Sequence, residues 1–393
     1  MQKLRFMQKM CCLASLVMLA GCSVLDPVLG IFSDDDGEEK PAELVDIESD
    51  VQLRRIWSAD IGSGQGDKFN RLKPVMEAGR IYAASNNGRI EALSADDGSR
   101  LWRTRVDYSI TGGVGAGNGL VLLGTENSQV IALSSEDGAQ LWISEVTSEV
   151  LSTPVTNGRI VVAQSVDGNL AGLDATTGEQ LWLYENNVPD LSLRGDSSPL
   201  IQGNFVIAAL ANGSVISVAL DNGTLRWEER VAIPTGRSEI DRMVDIDGDL
   251  VINEAGLLLV PTYQGYLAAI DPTTGQTRWR VEESSPVSAS FGFGNVYIVG
   301  NRDVVTAYRV GQPDSVWVND QMQLRKLSAP LGFNNYVAVG DSEGYVHLLA
   351  QSDGRYVTRA RVDGDGINAR MLSQGNTIYV YGNGGNLVAL RVQ

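Results

Sequence analysis

A single histidine, His347, bounds the acid–base and nucleophilic chemistry open to this chain. It lies in Tyr345-Val346-His347-Leu348-Leu349, an alternating stretch that reads as a strand and makes His347 a packed or edge residue. One imidazole supports no second Ser/His/Asp or Cys/His relay. The three cysteines, Cys11, Cys12 and Cys22, all fall in the first 22 residues, so the rest of the chain offers neither a disulfide nor a thiolate metal site. Asp245-Ile-Asp247-Gly-Asp249 gathers three carboxylates that a hard cation could use. The further ligand alternation of an EF-hand loop, and its Glu in the twelfth position, are absent, so ion binding there stays open. Otherwise the expectation is no catalytic residue, no metal and no cofactor. The glycine-rich stretches Gly62 to Gly66 and Gly112 to Gly119 are expected in loops between repeats, where they lack the strand-to-helix setting in which glycines cradle phosphate.

The elements that must position these groups repeat. A 22-residue pattern runs from Ile81 to Trp102 and from Val121 to Trp142, then from Val161 to Trp182 and from Val206 to Trp227. It returns from Leu258 to Trp279, Val296 to Trp317 and Val337 to Thr358, and an eighth copy starting at Ile378 stops short at the C-terminus. Each copy opens on an alternating apolar run. Most turn at a glycine in the eighth position (Gly88, Gly168, Gly213), continue through an Ala-Leu-like strand, and turn again at the eighteenth (Gly98, Gly138, Gly178) before Leu-Trp or Arg-Trp. Asn-Gly and Asp-Gly at those turns supply the positive φ that tight hairpins need. Three strands are visible per copy, and the residues between copies leave room for a fourth. The chain is therefore expected to be all-β, an eight-bladed β-propeller of four-stranded blades. The truncated last copy lacks its outer strand, and Arg55-Ile56-Trp57 is the candidate to supply it, so the N-terminal strand should close the ring on the C-terminal blade.

Ahead of the ring, Lys3, Arg5 and Lys9 precede an apolar stretch from Met10 to Leu19, about half what a bilayer span needs, and then Leu19-Ala20-Gly21-Cys22. Residues 1–21 read as a signal peptide, 22–50 as an acidic tether carrying little apolar pattern, and 51–393 as the propeller. Without residues 1–21, which hold three basic and no acidic residues, 28 basic against 48 acidic residues leave a net charge of −20. Such a surface repels nucleic acid and anionic lipid, so only a lipid anchor would hold it at a membrane. The small residues before Cys22 resemble the bacterial lipobox, which implies cleavage there and lipidation of Cys22. Ser23 then implies passage to the outer membrane of a Gram-negative cell, facing the periplasm.

The connectors between copies run 16 to 19 residues except for two, 183–205 with 23 residues and 228–257 with 30, both flanking the fourth copy. They should lie together. One offers Leu191, Leu193 and Arg194 and the other Asp245 and Asp247, the apolar anchors with flanking charge that a protein contact uses. The same groups could instead close on themselves, with the leucines under their own loop and Arg194 paired to Asp245 or Asp247.

The repeat resembles the blade of pyrroloquinoline quinone enzymes, most closely from Asp174 to Trp182 and from Asp271 to Trp279. Those dehydrogenases also share a vicinal Cys pair, a calcium held by carboxylate and Asn, and a longer chain. Here the Cys pair and the large insertions are missing, so the resemblance implies the fold and not the activity. A fuller resemblance is to the BamB family, lipoproteins of the outer-membrane β-barrel assembly machinery. It rests on the lipobox, the tether, the blades, Leu191-Ser-Leu-Arg-Gly-Asp-Ser-Ser-Pro199, Ser238-Glu-Ile-Asp-Arg-Met-Val-Asp-Ile-Asp247 and Gly340-Asp-Ser-Glu-Gly-Tyr345. It implies a non-enzymatic scaffold that docks on the periplasmic POTRA domains of BamA, beside the other subunits, and helps nascent outer-membrane proteins fold and insert. The partner-binding positions then fall on Leu191, Leu193, Arg194, Asp245 and Asp247. Asp196 departs from the Glu expected in relatives and keeps the charge. A third class, a periplasmic propeller holding sugar or peptide in its central funnel, would need aromatic residues there.

Overall fold

The computed structural model describes residues 40–49, 51–66, 70, 72–186, 197–233, 244–312 and 314–393. They form eight four-stranded antiparallel sheets arranged as the blades of a propeller. Blade 1 comprises Val75–Glu77, Arg80–Ala84, Arg89–Ser94 and Arg100–Arg105, from the channel outward. Blades 2 to 7 begin in turn at Ile110, Val155, Leu200, Val251, Ser290 and Leu331. Blade 8 takes Leu372–Gln374, Thr377–Tyr381 and Asn386–Val392 from the C-terminus and Leu53–Asp60 from the N-terminus. Leu53 pairs with Val392 and Asp60 with Asn386, so the ring closes through the strand expected to close it.

The second and third strands of each blade are the core. Every residue of Leu120–Thr125 is buried, whereas the outer strand Gln140–Glu145 buries only Trp142. That tryptophan is a repeated lock. A register shift directly before it, with Leu141 the extra residue opposite Ala132 and Leu133, turns the indole toward the next blade. There Trp142 Nε1 donates to the Ala175 carbonyl at 3.0 Å, and the Gly178 turn lies against the ring. A Cβ on Gly178 would come within 2.8 Å of the indole, which is why this turn takes glycine. Trp57, Trp102, Trp182, Trp227 and Trp317 make the same kind of bond to the following blade.

The stretch from Gly112 to Gly117 corrects one expectation. It is not a loop but most of the inner strand Ile110–Gly117. Its glycines allow close approach to blade 3: a Cβ on Gly112 would meet the Ser152 and Val150 carbonyls at 2.4 and 2.6 Å, and one on Gly115 the Pro154 carbonyl at 2.1 Å. A glycine run that reads as a loop is here a packing surface. Gly62 to Gly66 does lie outside strands, in the turn that follows the closing strand.

Each blade-to-blade connector crosses the ring on one face, beside the turns joining second and third strands. Val106 N donates to Gly88 O, Val231 N to Gly213 O and Val362 N to Gly344 O. The turns joining first to second and third to outer strands lie on the opposite face.

Candidate functional site

The two long connectors meet. Leu191, Leu193, Arg194 and Asp196 lie outside the described residues, as does Cys22, but both connectors are described where they enter the channel. Ser197 Oγ donates to Gly248 O at 3.1 Å, and Ser198 N donates to Asp249 Oδ1 at 3.0 Å. The Ser198 hydroxyl also accepts from Thr153 N at 3.1 Å and from Lys73 Nζ at 3.0 Å. Lys73 forms an ion pair with Asp249 across the channel, and Asp249 N donates to Ser288 Oγ at 2.8 Å. The entries to blades 1, 3, 4, 5 and 6 are thereby tied at one point, by residues 176 positions apart in the case of Lys73 and Asp249.

The three carboxylates of the Asp245–Asp249 stretch part company. Asp245 is only 1% exposed, with its Oδ1 accepting from Ile246 N at 2.7 Å and its carbonyl from Tyr263 N at 2.8 Å. It shapes the connector from within. Asp247 is half-buried at the channel mouth beside Asn368 and Arg370. Asp249 turns to Lys73. Burial alone would raise its carboxyl pKa, but Lys73, Arg370 and the Ser198 contact more than offset that and hold it below the ordinary value. Among the described residues, no group of three or more His, Cys, Asp or Glu side chains is placed to hold a metal.

His347 sits fully buried in the third strand of blade 7, as a packed strand residue, with Nε2 2.9 Å from Asp341 Oδ2. Asp341 in turn binds Arg325 at 2.7 Å. The only imidazole is thus bound inside a blade, away from the channel-lining residues. Below the Lys73–Asp249 pair the channel opens into a cavity of about 490 Å³, lined by Val75, Val114, Pro154, Leu200, Leu331 and Met371 among others. No described residue of that lining is aromatic, so it lacks the stacking platforms a sugar site would use.

Lys73 and Arg325 carry no motif and escaped the sequence reading. The one signal for Lys73 was Asp249, a channel carboxylate in need of a cation.

Comparison with known proteins gives one answer. A family model described as outer membrane protein assembly factor BamB matches residues 86–319. The outer membrane protein assembly factor BamB of Pseudomonas aeruginosa is 55% identical over 366 residues, covering 93% of this chain and 96% of that protein. The crystal structure of BamB from Moraxella catarrhalis aligns with a TM-score of 0.78 at 28% identity, over 86% of this chain and all of that one. Quinohemoprotein alcohol dehydrogenase from Comamonas testosteroni aligns with a TM-score of 0.67 at 14% identity, over 86% of this chain and 76% of that one, a likeness of fold alone.

Proposed function

The chain belongs to the BamB family of outer-membrane protein assembly factors, and from that premise we propose that it is a non-catalytic scaffold that docks on the periplasmic POTRA domains of BamA. The observation that carries this reading is the junction of the two long connectors. Ser197 and Ser198 bind Gly248 and Asp249, so the two connectors are joined where they enter blades 4 and 5. Leu191, Leu193 and Arg194 supply the anchors, Asp247 the flanking charge, and Asp245 holds the connector's backbone in shape. Arg194 offers planar donors suited to a carboxylate or to carbonyls across an interface.

The anchor completes the reading. Cleavage before Cys22 and acylation of that residue hold the protein at the outer membrane, facing the periplasm, with residues 22–50 between lipid and ring. A stable attachment needs more than one acyl chain, which a lipidated N-terminal cysteine provides. No described helix is long and apolar enough to cross a membrane. Nascent outer-membrane proteins and the other subunits of the machinery are the further partners.

The test measures pull-down of the barrel subunit and melting temperature on the same variants. Arg194→Glu should lower affinity at least tenfold, a hot-spot loss of about 2 kcal/mol or more, with melting unchanged. Leu191→Ala and Leu193→Ala should weaken docking less. Normal binding by Arg194→Glu sinks the docking site; early melting makes Arg194 a structural residue.

A further inference from the structure

The buried charge cluster of blade 7 does something the docking reading does not use: it grips the backbone of the segment ahead of the ring. Ala42 N donates to Gln323 O at 2.9 Å, and Arg325 Nη1 donates to Ala42 O at 2.8 Å. Both polar groups of one residue are therefore captured, with no demand on its side chain. Arg325 is 3% exposed and is held in place by Asp341, through Nε at 2.8 Å, and by Glu343. Asp341 is itself fixed by His347 and by the backbone N–H groups of Glu343 and Tyr345.

The loop that presents these groups is unusual. Leu324 and Lys326, on either side of Arg325, both adopt left-handed φ values of 60° and 53° without being glycine. Such backbone costs on the order of 1–3 kcal/mol per residue and persists where surrounding structure enforces it. Here Asp303 enforces it, accepting from Lys326 N at 2.9 Å and from Leu327 N at 2.7 Å. Beyond Ala42, the apolar Leu44, Val45 and Ile47 are half-buried while Glu43, Asp46 and Glu48 are exposed.

The grip has a direction. Gln323 and Arg325 belong to a blade-to-blade connector, and Asp341 and Glu343 to a turn between second and third strands, so Ala42 is held on the connector face, the face that carries Asp245 and Asp247. Leu53 starts the closing strand on the opposite face, since Asp60 at its other end reaches the Gly385 turn. We propose that the Gln323–Arg325 loop, braced by Asp341, Glu343 and Asp303, is a receptor for the N-terminal segment, and that it makes the chain leave the ring from the docking face. Without it, the stretch between Cys22 and the first hold on the ring, Gln52 paired to Gln393, would grow from 19 residues to 29 and would start from the far face. A longer, misdirected attachment lowers the effective concentration of the docking face at a membrane-bound partner. This last consequence rests on the acylation and docking readings; the receptor itself does not.

The receptor is tested on the full-length lipoprotein in detergent, by hydrogen exchange of residues 42–49 and by the distance between spin labels at Glu43 and Lys326. The wild type should show slow exchange and one narrow distance. Arg325→Ala should speed exchange at least tenfold and broaden the distance. Because that change also leaves Asp341 short of a partner, Ala42→Pro is the cleaner variant: it leaves the Arg325 cluster intact, puts a ring carbon where the N–H met Gln323 O, and should release the segment without lowering the melting temperature. Ala42→Ser, which keeps the backbone groups, should behave as wild type. A broad distance in the wild type, or protection that survives both Ala42→Pro and Arg325→Ala, overturns the receptor. If the segment is released as expected but BamA pull-down from membranes is unchanged, the receptor stands and its docking role falls.

Discussion

Two seams of the ring, built from the same repeat, are joined differently. Between blades 2 and 3, Trp142 reaches the Ala175 carbonyl and lies against the Gly178 turn. Between blades 5 and 6, Trp279 holds the same place in its strand, but its Nε1 is buried without a partner and Gly311, in the facing turn, has nothing within 4 Å of a built Cβ. The turn of blade 6 is as long as that of blade 3, but Gly311 lies six residues before Trp317 where Gly178 lies four before Trp182, so its glycine does not fall against the indole. The difference teaches that conserving the tryptophan does not conserve the lock. The lock is a pair, and moving the glycine along the turn removes it from the other side.

Substitutions can break that contrast. Among the glycine substitutions the largest expected effect is Gly178→Val, which meets both a positive φ of 77° and the Trp142 ring; it should cost roughly 3 kcal/mol or more, as overpacking and backbone strain combine. Gly311→Val meets only the φ of 83° and should cost about 1–2 kcal/mol. Urea unfolding of the two variants measures the gap, and equal losses would remove the lock from the account. Next, Trp142→Ala should cost about 3–5 kcal/mol as a buried aromatic and hydrogen bond are lost together. Trp279→Ala should cost clearly less, because no bond is lost. Amide exchange sharpens the contrast without mutation: the facing edges of blades 5 and 6 should open before those of blades 2 and 3.

The smallest effect is one of pH and concerns the channel. Because the Asp249 carboxyl is held below its ordinary value of 3.8, its contribution to stability is present above that value and is lost as pH falls through the lower folded value. Lys73→Met removes the cation that depresses it, so the variant should be less stable near neutrality and lose less of what remains on acidification. Acid titrations followed by tryptophan fluorescence would compare the two, and parallel curves would show that the pair is not what depresses Asp249.

The repeat made the architecture legible because its signals are local: a glycine at a turn with positive φ, an alternating strand, a tryptophan closing the copy. Even the closure was readable, since a missing strand at one end and a spare Arg55-Ile56-Trp57 at the other leave one solution. The site was legible only as two long connectors. That Lys73 would meet Asp249, or Arg325 the backbone of Ala42, depends on contacts 176 and 283 residues apart that no periodicity announces. Asp245, expected as a partner-binding carboxylate, is buried, because its backbone bridges Tyr263 and its carboxylate turns back to the Ile246 N–H. Gly112 to Gly117 misled for the opposite reason, as glycine marks both a flexible loop and a strand that another backbone must approach.

Closing the last blade with the first strand also sets an order of assembly. Leu53–Asp60 pairs only with Asn386–Val392 in the final eight residues of the chain, so a polypeptide emerging from its N-terminus must keep that strand unpaired until almost everything else exists. Blades 1 to 7 can each fold from contiguous residues as they appear, whereas the ring as a unit waits for the final residues. Completing such a distant pairing is slow, and the open edge meanwhile invites association with other exposed strands. An outer-membrane protein assembly factor closed in this way must therefore first pass through that exposed stage itself.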